Sequence, residues 1–181
     1  ALDLVEKGYI AVCSNYRLTD VAQAPAQLHD VFSAIRFLRE NATDYGIDPG
    51  KVGVTGSSAG GYLAVMAAVF DSGNKRTRPN AAIGMGAQTD LTSPHIQNST
   101  APNWSKFMGG LYKEVPQNYL KQSPLNHLTP NDPPVAIICG ELDKPSTRAN
   151  AFRQKALQLI NIPVMKNIKG TFLDIFPYSK H

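Results

Sequence analysis

Residues 52–70 read VGVTGSSAGGYLAVMAAVF, an apolar run of strand type that passes through Gly56, Ser58 and Gly60 into an alanine-rich helical pattern. A strand turns into a helix this abruptly only where the residues around the bend are small, so the stretch commits the chain to a sharp strand-to-helix elbow. Tyr62, Leu63, Val65, Met66 and Val69 are apolar nearly all round the helix that follows, which places it well inside a core. Gly-x-Ser-x-Gly is common by chance among small residues; the strand before it and the helix after it give it meaning. In that setting the glycines leave room for a strained serine, the Ser58 hydroxyl stands clear of the sheet edge, and the backbone N–H of Ala59 points at a developing oxyanion. A phosphate-cradling loop is the competing reading. It fails because Tyr62 and Leu63 stand where a Lys and a Ser or Thr belong, and because Gly-x-Gly-x-x-Gly spacing is absent.

The remainder of the chain alternates in the same way. Short apolar runs rich in Val and Ile recur at residues 9–15, 51–55, 80–86, 134–139 and 164–168, and their near-continuous apolarity predicts strands buried on both faces of a parallel sheet. Between the first two, Leu28, Val31, Phe32, Ile35 and Leu38 form one helical stripe, with Asp30, Arg36, Arg39 and Glu40 turned to water. A further helix is expected at about residues 147–159. Residues 89–129 are polar, weakly periodic and broken by Pro94, Pro102, Pro116 and Pro124, which predicts an excursion over the carboxyl edge of the sheet, where folds of this class build their sites. The 181 residues, 43% of them hydrophobic, suit a single α/β domain, a mostly parallel sheet with flanking helices.

Charge and composition exclude several functions. A net charge of +4 with 18% charged residues, scattered along the chain, predicts no nucleic-acid surface. No run approaches the roughly 20 apolar residues of a membrane span, and no leader is read at the start, which leaves a cytoplasmic or a secreted setting open. Cys13 and Cys139 lie in apolar runs and are expected as buried, reduced thiols. His29 on the first helix and His95 and His127 in the polar stretch read as surface or capping residues.

A serine nucleophile needs an acid later in the chain, just past a strand. The stretch PPVAIICGELDKPS at residues 133–146 offers Glu141 and Asp143. Asp143 is favoured, because Gly140 ends the strand and lets the loop turn a short carboxylate back.

At this point the chain resembles a known family. NYRL, LHDVFSAIRFL, GIDPGKVGVTGSSAGGYLA, SPLNHLTPNDPPVAIICGELD and ANAFRQKALQ are similar, in this order and up to about residue 170, to α/β-hydrolase-fold carboxylesterases, nearest the acyl and feruloyl esterase-like and hormone-sensitive-lipase-like branches. The resemblance implies Ser58 as nucleophile, Asp143 as triad acid and Ala59 as one oxyanion donor. It implies a structural Arg17–Asp30 pair and a small-molecule ester as substrate, with no metal and no cofactor.

Two departures from the family pattern shape the expectations. The family carries His-Gly-Gly on the strand before residues 9–15, and this sequence begins after it, a truncated α/β-hydrolase fold with one oxyanion donor fewer; such a loss costs about 10²- to 10³-fold in turnover. Where the family places its histidine, Thr171, Phe172, Leu173 and Asp174 stand instead. His181 alone lies beyond Asp143, either an unstructured end or a displaced base. The expected function is a serine carboxylesterase of short acyl or aryl esters, carbohydrate esters among them, with Trp104, Phe107 and Tyr112 lining a pocket. A weakly active or inactive scaffold serving as an oligomeric or binding module, and a serine peptidase, are the alternatives. In the family order the His-Gly-Gly strand separates residues 9–15 from 51–55. Its absence predicts either direct pairing of those two runs or contacts from a second chain, and with them a homo-oligomer, expected as a two-fold dimer.

Overall fold

The computed structural model describes residues 2–140, 151–152, 154–156 and 175–176. Four strands, β1 (Gly53–Ser57), β2 (Ala81–Met85), β3 (Val135–Gly140) and β4 (Ile175–Phe176), form one sheet in the order β1-β2-β3-β4. All three pairings are parallel, with Gly53 beside Ala81, Ala82 beside Val135 and Cys139 beside Ile175. Three of the expected strands are therefore present within two residues of their predicted limits. The run at 164–168 lies outside the described residues.

Helix α4 (Ala59–Val69) follows β1 and packs on β1 and β2. Every residue from 61 to 69 in it is buried, as its all-round apolarity predicts. Close approach to the sheet is made possible by glycine. A Cβ on Gly61 would stand 2.7 Å from the Met85 carbonyl oxygen, and one on Gly84 would stand 2.6 Å from Val65 Cγ2. Helix α2 (Ala26–Glu40) lies against α4 and buries Leu28, Phe32 and Ile35. Its exposed face is narrower than predicted. Arg36 and Glu40 are exposed, but Asp30 is part-buried against Arg17, and Arg39 is part-buried and donates to the carbonyls of Pro49, Lys75 and Arg76 and to Asn80 Oδ1.

Among the described residues the sheet is not covered on both faces. Along β2, Ala82 and Gly84 are buried while Ala81, Ile83 and Met85 are exposed, because α4 and α2 lie on one side of it. The largest correction concerns residues 9–15. They form no strand, Tyr9, Ile10 and Val12 are more than half exposed, and Cys13 is exposed where a buried thiol was predicted. An apolar run becomes a strand only when another strand takes up its N–H and C=O groups, and β1, its expected neighbour, pairs with β2 alone among the described residues. Direct closure of the two runs is thereby overturned. Cys139, in β3, is buried as expected.

The polar stretch at 89–129 contributes more to the core than its composition predicts. It holds four short helices, α5 (Pro94–Gln97), α6 (Pro102–Met108), α7 (Pro116–Gln122) and α8 (Pro124–His127). The four prolines that read as breaks each open one of them, a position where the missing N–H costs nothing and the fixed φ suits the helix. Leu91, Ile96, Met108 and Tyr119 on this stretch are fully buried. Short helices α1 (Leu2–Val5) and α3 (Ala42–Tyr45) complete the described elements, and residues 151–152 and 154–156 are helical, within the helix expected at 147–159.

Candidate active site

Ser58 sits between the last residue of β1 and the first of α4 with φ of 52° and ψ of −115°, and it is the one non-glycine residue with positive φ among those described. Such a conformation is costly for a residue with a Cβ and persists only where its surroundings enforce it. They do so here: the Ser58 N–H donates to the Met85 carbonyl at 2.8 Å, and its own carbonyl accepts from the Tyr62 N–H at 2.9 Å. The bend is as tight as the sequence implies on one side only. A Cβ on Gly56 would lie 2.5 Å from the Gly60 carbonyl carbon, whereas one on Gly60 would meet nothing within 4 Å. Gly56 must be glycine so that the backbone at residue 60 can pass; Gly60 has room for a side chain.

The result is an exposed serine whose side chain makes no capping bond to α4. Ala59 is the first residue of the helix, so its N–H has no acceptor within it. Together they border a cavity of about 490 Å³. Tyr62 and Leu63 of α4, Trp104 and Phe107 of α6, and the polar Arg17, Asp20 and Gln27 are among the residues that line it. Tyr62 is buried, its ring meeting that of Phe107 edge-on at 5.7 Å and its hydroxyl donating to the Gln122 carbonyl at 2.9 Å. Burial pushes its pKa far up, so it stays a neutral donor and serves as wall, not as base. Of the three aromatic residues expected in the pocket, Trp104 and Phe107 line it. Tyr112 does not; it packs edge-on against Tyr119 at 5.3 Å.

The polar side is organised by ion pairs. Arg17 grips Asp30 through Nε and Nη2, at 2.8 Å for the latter, and also donates to the Ala26 carbonyl, so the pair implied by the family resemblance is present. The hydrogen bond from Arg17 holds the Asp30 carboxyl below its ordinary value, and the same bond raises Arg17. Lys106 of α6 bonds Asp20 at 2.8 Å and lowers that carboxyl in the same way.

None of the described histidines borders the cavity. His29 and His95 are exposed; His127 lies with its Nε2 2.8 Å from the Lys121 carbonyl in the last turn of α7 and its ring 5.0 Å from that of Phe70. The surface or capping reading suits all three. Asp143, Glu141 and His181 lie outside the described residues, as does the loop at 171–174. Among the described residues no cluster of three His, Cys, Asp or Glu side chains could hold a metal, and no helix is long and apolar enough to cross a membrane.

Arg17 and Gln27 border the cavity although sequence reasoning gave them no place there. A signal existed for Gln27: it is a polar residue directly beside Leu28, at the start of the buried stripe of α2.

The chain matches the BD-FAE protein family over residues 1–155. It is 33% identical to esterase LipQ of Mycobacterium tuberculosis over 163 residues, covering 82% of this chain and 38% of that protein. It is 29% identical to the probable carboxylic ester hydrolase LipM of the same organism, covering 90% and 41%. The chain thus spans about two fifths of the length of these relatives. A solved structure of a truncated form of carbohydrate esterase from gut microbiota superposes with a TM-score of 0.71 at 28% identity, covering 80% of this chain and 60% of that one.

Proposed function

We propose a function from one premise: this chain belongs to the BD-FAE family of α/β-hydrolase-fold esterases. It hydrolyses carboxylic esters of short acyl or aryl groups, carbohydrate esters among them, with Ser58 as nucleophile. The observation that carries the reading is Ser58 itself, held at φ of 52° on the tip of the elbow, exposed at the cavity and next to the N–H of Ala59. The carbohydrate preference is supported by the likeness to the carbohydrate esterase and by a cavity with aromatic and polar walls.

Ser58 Oγ attacks the ester carbonyl and gives its proton to a histidine. The tetrahedral oxyanion then faces the Ala59 N–H, the alcohol departs with the histidine's proton, and water releases the acid from the acyl-serine. His181 is proposed as that base and Asp143 as the carboxylate that fixes its tautomer. Ser58→Ala tests the whole scheme: hydrolysis of p-nitrophenyl acetate is expected to fall by about 10⁴-fold or more, since triad members act as a unit, and labelling by a fluorophosphonate to vanish. Full activity and labelling in that variant would overturn it. Deleting His181 is expected to cost as much as losing Ser58; unchanged turnover assigns the base elsewhere.

A further inference from the structure

The cavity beside Ser58 is lined by a side chain with an unsatisfied polar atom. Gln27, in the first turn of α2, is 3% exposed and borders the cavity. Its Nε2 donates to the Ala22 carbonyl at 2.7 Å. Only the nitrogen of the amide can make that bond, so the identity of the other end is fixed as oxygen. That oxygen, Oε1, is buried and accepts no hydrogen bond. Buried side-chain polar atoms are nearly always paired, and an unpaired one calls for a donor from elsewhere.

The surroundings define the donor. Arg17 and Asp20 border the same cavity, but Arg17 is bound to Asp30 and Asp20 to Lys106. An ammonium group would therefore enter a wall whose carboxylate already has its cation, and would meet the Arg17 guanidinium as well. A neutral hydroxyl needs no counter-charge. Trp104 and Phe107 add aromatic side chains to the same lining. A ligand with C–H faces for those rings and hydroxyls for the polar wall is a sugar or another cyclic polyol.

We propose that Gln27 is a specificity residue, whose Oε1 accepts a hydrogen bond from a hydroxyl of a sugar or polyol ester seated in this cavity among its aromatic and polar side chains. The oxygen is closed to solvent in the free chain. The last torsion of a glutamine is broad and soft, and a turn of the amide that brings Oε1 to the cavity exchanges the Nε2 bond to the Ala22 carbonyl for the bond to the ligand. The inference rests on the reading of this cavity as the ester site, and its test separates the two.

Trp104 is the single tryptophan of the chain and borders the cavity, so its fluorescence reports binding without any need for catalysis. Titration of the full chain with methyl glucoside is expected to give a midpoint at least about tenfold below that of 2-methoxytetrahydropyran, the same ring without hydroxyls, as a hydrogen bond to a buried acceptor predicts. Gln27→Met is expected to erase that difference while the hydroxyl-free ring still binds. In hydrolysis, the ratio of kcat/KM for an acetylated methyl glucoside to that for tetrahydropyran-3-yl acetate is expected to fall by about tenfold or more in Gln27→Met. Equal midpoints for the two rings in the wild type, or equal losses on both esters in the variant, overturn the proposal. Should Gln27→Met not fold, Gln27→Leu takes its place, with the same loss of the difference between the two rings expected. Fluorescence that distinguishes the rings in a chain that cleaves neither ester would sustain the hydroxyl site and remove the esterase reading.

Discussion

Residues 9–15 and residues 53–57 both lie in stretches read from the sequence as strands, and in neither is burial complete: Gly53, Thr55 and Ser57 of β1 are exposed, much as Tyr9, Ile10 and Val12 are. Only the second is a strand. The difference is a partner, because β2 pairs with β1 along its whole length while residues 9–15 have no strand beside them among those described. Apolarity says where a strand is possible; a neighbour decides whether one forms.

The elbow adds a second lesson: its tightest contact, between Gly56 and the backbone of Gly60, is local in sequence, while the bond from the Ser58 N–H to the Met85 carbonyl ties it to β2. The sharpest way to break the comparison is therefore at Gly56. Gly56→Ala drives a Cβ to 2.5 Å from the backbone of Gly60, and both chains there are fixed by β1 and α4, so relief requires the elbow to open. A loss of about 2–4 kcal/mol in stability is expected, with nucleophile labelling lost before the fold melts. Gly60→Ala, at the same distance from Ser58 on the other side, meets open space. Replacing a helical glycine by alanine there is expected to leave stability unchanged or to raise it by up to about 1 kcal/mol. Urea unfolding of the two variants measures both; equal destabilisation would contradict the one-sided crowding described here.

This contrast explains how much of the molecule is legible in its sequence. The strand, elbow and helix at Ser58 were readable because the signal is local and steric: small residues at fixed spacing, then an apolar helix. The parallel strands β2 and β3 were readable for the same kind of reason. Residues 9–15 were misread because pairing is non-local and no property of the run reports it. The four helices at 89–129 were missed because they are short, and because Pro94, Pro102, Pro116 and Pro124 mark a start and a stop with the same residue. Gln27 escaped notice because an orphaned oxygen is a property of packing, visible only when every donor around it has been placed.

The exposed run has a consequence for assembly. We propose that a second copy of the chain covers the apolar surface left by residues 9–15 and by Ile83 and Met85 on the open face of β2, giving the homo-oligomer expected from the sequence. Light scattering over a wide concentration range is expected to give a mass above that of one chain. The double change Ile10→Ser and Val12→Ser is expected to move the association midpoint to higher concentration, while leaving the unfolding midpoint of the dilute chain within about 0.5 kcal/mol of the wild type, as for other exposed positions. A single chain at every concentration would overturn the proposal and leave the contrast with β1 as one of pairing alone.

The smallest effect belongs to the contact that ties the unpaired run to the core. Arg17 lies two positions beyond residues 9–15, and its bonds to Asp30 and to the Ala26 carbonyl fasten that segment to α2. The hydrogen bond from Arg17 holds the Asp30 carboxyl below its ordinary value. A carboxyl lowered by folding contributes stability that is present above the unfolded aspartate value, near 3.9, and is lost as pH falls through the lowered folded value. Arg17 is exposed and Asp30 only part-buried, so the contribution is expected to be small and screened by salt. Comparing thermal midpoints of the wild type and Asp30→Asn between neutral pH and about pH 2 isolates it from the other acids: the wild type is expected to lead at neutral pH and the two curves to converge as the solution turns acid. Amide exchange should report the same event locally, with residues 16–22 less protected in Asp30→Asn while β1 and α4 are unchanged. A gap between the two proteins that persists at pH 2, or loosening that spreads into the elbow, would mean that the run is anchored by more than this pair.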